Sequence, residues 1–495
     1  MKRIEFPKKT PRQVRIIRLF QIGLLILVIY PFQASSQKSR SINLHDFRGN
    51  VPLNFEYDTI TEVYNSYSIY GLLPNDVFQS PARFYRTIFL KTPDFVKSTF
   101  ADVADFSFTT FIKGASYNQS VFQKDVTFEH SSFDSVTDFA GSRFMRSANF
   151  TYVNAGVLAF DYSHFQNDLN LNYSQCSLLS LVQSKVVGDW TLNNSIIDTC
   201  YLVSSDVAKN ILFKSAKLKF LHIDDSRLRR IDFSKTEFKS GSRLLLSGLK
   251  DSTSITSYAA QLPDTIDIIG CSVLQGYFNF NNADFEEDKT KKRTHFFFLY
   301  KSDISKLKID YIHFRFYFPD SAAFSDHTFH ISTEDKEEAY ESLLANFKNS
   351  QQIESYKNLD IEYQDFKWKN SWGKYFTWLP RVWWNYGYNK EYVFFWTPVF
   401  LLFFTIINTV FLNYLFKVYS FQSLDPDSLR RGKLSTRLST RIWYSFIYTS
   451  IIFFRLTLTV DKINWKHRFG ALYILIVYVL GLICLAYMAN FVLQK

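Results

Sequence analysis

One series of residues limits what this chain can fold into. Large apolar side chains stand at Phe95, Phe100, Phe106, Phe111, Tyr117, Phe122, Phe128, Phe133, Phe139, Phe144 and Phe150, at spacings that alternate five and six. Two places before them, from Phe100 onward, stand Ser98, Ala104, Thr109, Ala115, Ser120, Val126, Ser131, Thr137, Ser142 and Ala148, all small. The resulting eleven-residue unit fits neither the 3.6-residue period of a helix nor the 2.0 of a strand. It fits a chain that turns a corner about every five residues and winds into a narrow solenoid. Each side then sends one large and one small residue inward, and stacking at strand spacing sets like above like. Polar residues such as those from Asp134 to Asp138 face outward.

This pairing resembles the pentapeptide-repeat family, whose consensus places a small residue two positions before a central Leu or Phe. The resemblance implies a mainly β fold, a right-handed quadrilateral β-helix, here with the sixth residue of alternate units bulged at a corner. The repeat is expected over residues 95–320, behind an N-terminal cap region at 37–94. The ladder continues through Phe160 and Phe165 and sharpens again at Ile223, Leu228, Phe233 and Phe238. Between them, Leu178 to Leu202 keeps the composition without the register. Alternation in Ile266–Ile269, Tyr277–Phe285 and Ile304–Phe318 carries the sheet past residue 300. A solenoid offers an extended wall and, by default, no catalytic centre, because each repeat contacts only its neighbours.

Composition enters where the two ends are read. The chain holds 52 Phe and 30 Tyr against 16 Gly and 12 Pro, and so many aromatics need a large interior or a bilayer. The net charge of +11 suits nucleic acid or a membrane surface. Its placement favours the membrane: the basic residues crowd Lys2 to Arg18 and Lys417 to Arg441, and both groups flank apolar stretches. Acids and bases nearly cancel from Phe95 to Leu245, so no nucleic-acid partner is expected. The apolar run Leu19 to Phe32, followed by Ala34, Ser35 and Ser36, makes residues 1–36 a signal peptide or an uncleaved N-terminal anchor. Either places the repeats outside the cytoplasm.

Toward the C-terminus, Ser332-Thr333-Glu334-Asp335 reads as a capping box. Apolar residues then recur at helical spacing in two runs, predicting a helical hairpin connector over 332–372. Six tryptophans between Trp368 and Trp396 suit the headgroup layer. The α-helical transmembrane domain is expected over 373–495, with spans near 392–416 and 469–493. A short hydrophobic helix at 442–454 either crosses by extending through Val460 or re-enters the membrane. The loop with Arg430, Arg431, Lys433, Arg437 and Arg441 reads as cytoplasmic. This order of elements resembles bacterial pentapeptide-repeat proteins with a two-helix potassium-channel-like C-terminal domain. On that resemblance Tyr444 to Ile463 stands where the pore helix and filter would be, and Thr457, Thr459, Val460, Asp461 and Lys462 take the filter-like position. The stretch departs from a potassium filter because it has no glycine before Gly470 to help present rings of carbonyls. Lys462 would also repel cations.

No phosphate-binding glycine loop, zinc spacing or nucleophile elbow appears. His295, His313, His327 and His330 read as structural or surface histidines. Asp224-Asp225 and Glu286-Glu287-Asp288 read as solvated corners. Cys176 and Cys200 either pair across neighbouring coils or remain buried thiols. The expectation is therefore a protein with no enzymatic activity, no cofactor and no metal. It would be a scaffold or sensor of the bacterial envelope, anchored in the inner membrane with its repeats on the periplasmic side. Its partners would be membrane lipid and other proteins or copies of itself. The alternative is an oligomeric ion channel with an unusual filter, gated by the β-helix.

Overall fold

The computed structural model describes residues 39–43, 53–64, 77–250, 253–272, 275–281, 283, 295–303, 306–311, 313–319, 321–324, 327–370, 375, 378–419, 438–455, 458–459 and 462–493. The N-terminal run 1–36, the acids Glu286 to Asp288, and Arg430, Arg431, Lys433 and Arg437 lie outside these. The chain divides into two compact units, Met1–Ala339 and Tyr340–Lys495.

The first unit is a parallel-strand β-solenoid of about 10 turns. Residues of successive coils pair in parallel: Thr99 with Val121, Val121 with Arg143, Arg143 with His164, and His164 with Lys185. The coils thus join two long sheets. Among the described strands, the antiparallel pairing is that of Ser321–Phe324 with His327–His330. Both sequence registers point inward. Every aromatic from Phe95 to Phe150 in the series is buried, as are the small residues two places before it. Like residues stack on like, with Phe84, Phe106 and Phe128 4.8 Å apart at nearly parallel planes, the spacing that paired strands impose.

Alternating spacings come from two kinds of corner. After Phe106 and Tyr117 two residues suffice, closed by Thr109 N–H to Phe106 O (3.3 Å) and Ser120 N–H to Tyr117 O (3.0 Å). The residue before each closing position is left-handed, Phe108 at φ 56° and Gln119 at φ 57°, as a type II turn requires. After Phe100 and Phe111 the corner holds three residues, 101–103 and 112–114, and this is where the sixth residue lies.

The small residues at the tight corners are mostly hydroxyls, and they do more than save space. Ser120, Ser142, Ser163 and Ser184 each donate to the carbonyl of an inward residue one coil earlier, at 2.6–2.7 Å. Thr87, Thr109, Ser131 and Ser174 form a second such column. Each bond satisfies a buried hydroxyl that would otherwise carry a desolvation penalty.

The solenoid begins upstream of residue 95. Leu53–Asn54 pairs with Ala82–Arg83, Thr59 with Ile88, and Val77 with Thr99. Phe55, Phe78, Phe84 and Phe89 are buried rungs, so much of the stretch expected to be a separate cap is coil. At the other end, coils continue through His295–Tyr300 and Phe314–Phe316.

From Ser132 the cross-section changes. Two short strands merge, and one side of each coil becomes a single strand: Ser132–Asp138, Asn154–Ala159, Gln175–Val182, Ile196–Val203 and Lys217–Asp224. The opposite side changes likewise at Asp206–Leu212 and Arg227–Asp232. Leu178 to Leu202 therefore is solenoid, in a shorter coil whose register differs from the aromatic series. That register separates the two thiols: Cys176 lies beside Ile197 and Cys200 beside Leu179, and both cysteines are free and buried.

One sequence expectation changes near the last coils. Asp224 is no solvated corner; it is 9% exposed and accepts the Ser247 hydroxyl at 2.6 Å, leaving Asp225 as the exposed left-handed residue. Asp267 is fully buried and accepts bonds from the Arg243 guanidinium and the Tyr317 hydroxyl. Burial holds its carboxyl above the usual range although both partners oppose that shift. Around it Ile269, Phe298 and Ile331 cluster with Tyr317 and Phe318. His295 is a core histidine, its Nδ1 2.7 Å from the Pro263 carbonyl.

Candidate functional site: a helix inserted between two apolar helices

Helix α1 (Thr333–Asn349) begins with the expected reciprocal cap. Asp335 N–H donates to Ser332 Oγ at 3.0 Å and Ser332 N–H to the Asp335 carboxylate at 2.9 Å. Helix α2 (Ile353–Lys369) packs back against the later part of α1 through stacked Tyr340 and Tyr363. Each tyrosine donates to a glutamate of the other helix, Tyr340 to Glu362 and Tyr363 to Glu341. α2 also holds the tryptophan-rich approach. Tyr388 donates to Asp360 at 2.6 Å, Tyr386 donates to Asp365, and Arg381 of α3 (Trp378–Trp384) pairs with Asp365. Burial and the adjacent carboxylates push both phenols well above the usual tyrosine range.

Helices α4 (Tyr392–Val418) and α6 (Arg468–Leu493) are each long and apolar enough to cross a membrane. They run antiparallel: Phe394 meets Phe491, Phe404 meets Tyr473, and Tyr414 meets His467. Between them in sequence lies α5 (Leu438–Phe453), of 16 residues. Its last carbonyl reaches Gly481, midway along α6, where a Cβ would stand 1.9 Å from Phe453 O. Only glycine permits that approach. The chain then returns to the end of α4 it came from. Arg455 donates to the Tyr419 hydroxyl at 3.2 Å, and Asn464 N–H donates to Val418 O at 2.8 Å. The end of α6 consequently lies beside the start of α4.

A polar thread joins the three helices inside this apolar cluster. Tyr473 donates to Asn408 Oδ1 and Asn408 Nδ2 donates to Thr449 Oγ1, both at 2.7 Å. Tyr448 reaches the carbonyls of Leu415 and Tyr419, and Asn408, Tyr448 and Thr449 are nearly inaccessible. The sequence signal for this thread is Asn408 in the middle of an apolar run, and a reading by periodicity alone misses it. Of the filter-like positions, Thr459 and Lys462 belong to the returning segment, while Thr457, Val460 and Asp461 lie outside the described residues. Lys462 N–H donates to Thr459 O at 3.1 Å, a local turn. Among the described residues no group of three His, Cys, Asp or Glu could hold a metal ion.

The fold and this site define a class in coarse terms: a parallel β-solenoid followed by a helical region with two helices apolar enough for a membrane. No protein-family model matches the chain, and no curated protein or solved structure matches it.

Proposed function

We propose that the protein is a non-enzymatic scaffold or sensor of the bacterial envelope, a pentapeptide-repeat β-helix tethered by a potassium-channel-like pair of membrane helices. The observation that carries this reading is the outward face of α4 and α6. Phe395, Leu402, Phe403, Ile406, Val410, Leu472, Ile476 and Val479 are about half exposed or more, and a patch of that kind calls for lipid or further protein around it. The solenoid then serves as a rigid wall for protein partners, on the periplasmic side if the basic loop before α5 is cytoplasmic. Under this reading the C-terminus shares the side of the α4 N-terminus, because α5 only re-enters. Alkaline extraction of membranes, with cysteine labelling at an engineered Asn389→Cys and at Gln494→Cys from outside, tests it. Membrane retention with both sites labelled alike is expected; release by carbonate, or labelling of one site only, defeats it.

A second reading is favoured by α5 itself. A short helix ending at mid-depth turns the negative end of its dipole toward the middle of the bilayer, where it would favour a cation in an oligomeric pore. Ion flux through full-length protein in liposomes decides between the two. Flux whose ion preference shifts in Lys462→Gln and Asp461→Asn establishes the channel; no flux over a range of salts and voltages leaves the scaffold.

A further inference from the structure

Register places one row of side chains on the outer face of the later coils. Asn210 pairs with Arg230, Arg230 with Ser254, and Ser254 with Tyr277, so the four stand one strand apart, about 4.8 Å each. The smallest of them sits between the two largest, and the row therefore dips. The dip is an open groove of about 480 Å³ lined by Asn210, Arg229, Arg230, Ser254, Gln275 and Tyr277, a size within the range of small-molecule sites.

The chemistry of the lining is one-sided. Among the described residues, its ionisable cations are two arginines and no carboxylate lines it. Arg230 is braced from below by Asp232, at 3.3 Å, whose side chain is 4% exposed. Lys214 shares that same carboxylate at 3.8 Å, so the acid does not neutralise the groove. Arg229 makes no ion pair among the described residues. Asn210 is oriented by its own bond, Nδ2 to Asp189 Oδ1 at 2.8 Å, which leaves its amide oxygen as an acceptor. Ser254 and Gln275 add neutral hydrogen-bonding groups, and Tyr277 supplies an aromatic wall, 38% exposed.

We infer that this groove binds an acidic saccharide. Two guanidinium groups take its oxyanion, in the planar two-pronged manner arginine offers carboxylates and phosphates. The amide and hydroxyl groups of Asn210, Ser254 and Gln275 meet sugar hydroxyls, and the ring of Tyr277 packs against the apolar face of the sugar. The inference goes beyond the scaffold reading and does not depend on the membrane helices. A uronate and a phosphosugar share the required chemistry.

The test is calorimetric titration of the full-length protein in detergent with trigalacturonate, glucose 6-phosphate and neutral maltotriose. At least one acidic probe should bind, and maltotriose should bind at least tenfold more weakly. Which acidic probe binds better tells carboxylate from phosphate. Arg229→Gln and Tyr277→Ala should each lower affinity for that probe about tenfold, while Arg146→Gln, an exposed arginine of an earlier coil, should leave it unchanged. Circular dichroism of each variant shows whether it is folded. Three outcomes overturn the proposal: neither acidic probe binds, maltotriose binds as well, or folded Arg229→Gln keeps full affinity. Displacement by inorganic phosphate at the same concentration as the sugar would also overturn it, since the groove would then take a simple anion only.

Discussion

Residues 77–150 and residues 175–250 build the same solenoid in two ways. The earlier coils place aromatics at the large positions and small residues two places before them. The later coils level the difference. Along one column Phe133 is followed by Ala155, Cys176, Ile197, Leu218 and Phe238, while its companion column runs Thr137, Leu158, Leu179, Cys200, Leu221 and Leu244. Where the first column shrinks, the second grows. A second pair behaves alike: Phe165 gives way to Val186, while Ala148 grows to Leu169 and then Trp190. The large side chain thus passes from one position of a side to the other instead of keeping to one, as a packed core tolerates. The two short strands are already fused at Ser132–Asp138, where Phe133 and Thr137 still stand as large and small, so the trade follows the fusion rather than causing it.

Removing one large side chain from each stretch should have the greatest effect. Phe128→Ala and Trp190→Ala each empty a fully buried site and should cost about 3–5 kcal/mol. Because each coil touches only its neighbours, hydrogen exchange should show the loss in the mutated coil and those beside it. Loss spreading evenly over residues 77–250 would mean that the two stretches are one cooperative block.

This trade of volume also explains what the sequence shows and what it hides. A rule of one large and one small residue is visible at single positions, so the aromatic coils could be read from Phe95 to Phe150. Where the large residue passes between two positions, neither keeps a register, so Leu178 to Leu202 showed composition without register. The upstream coils were missed for another reason: Phe55, Phe78, Phe84 and Phe89 carry rungs, but too few to set a phase on their own. At the candidate site, the helices and the capping box were legible from periodicity and from Ser332 with Asp335. The approach of α5 to the middle of α6 was not, because it rests on Gly481, a lone glycine whose role appears only when Phe453 is seen against it.

Titration separates the stretches next. The described thiols of the solenoid, Cys176, Cys200 and Cys271, all lie in the later part, and burial pushes Cys176 and Cys271 up to about 12 and Cys200 higher still. The unfolded chain therefore loses these protons first. Each thiol contributes stability that is fully present below about pH 8.5 and falls by about 1.4 kcal/mol per pH unit above it. In the earlier part, burial likewise raises the Tyr117 phenol, whose unfolded value is about 10. Between pH 8.5 and 10, exchange protection should fall in the later coils and hold in the earlier ones. Equal loss in both would show that the thiols are not the cause.

The hydroxyl columns give a smaller contrast. Ser142→Ala removes a buried donor to the Tyr117 carbonyl and should cost about 1 kcal/mol. Ala216 stands where the second column has Ser174 and Thr236 in nearby coils. Ala216→Ser should thus gain a fraction of what Ser142→Ala loses, read by the shift in a urea unfolding midpoint. A loss at Ala216→Ser would mean that the later coils have closed over the space.

The smallest effect concerns the left-handed corners, and it tests whether the aromatic stretch is aromatic outside as well as inside. Gln119 and Tyr152 both adopt φ 57°, which disfavours any side chain by about 1 kcal/mol. Gln119→Gly should therefore stabilise its coil by several tenths of a kcal/mol. Tyr152→Gly relieves the same strain, but it also breaks an exposed stack with His130 at 4.4 Å and Tyr173 at 4.8 Å. If stacking offsets the strain, the two glycine variants should differ by about 0.5–1 kcal/mol, with Tyr152→Gly near neutral. Equal stabilisation would make the outer rings ornaments of the corner. A difference would make them a second ladder, in which the rings that strain the backbone also hold neighbouring coils in line.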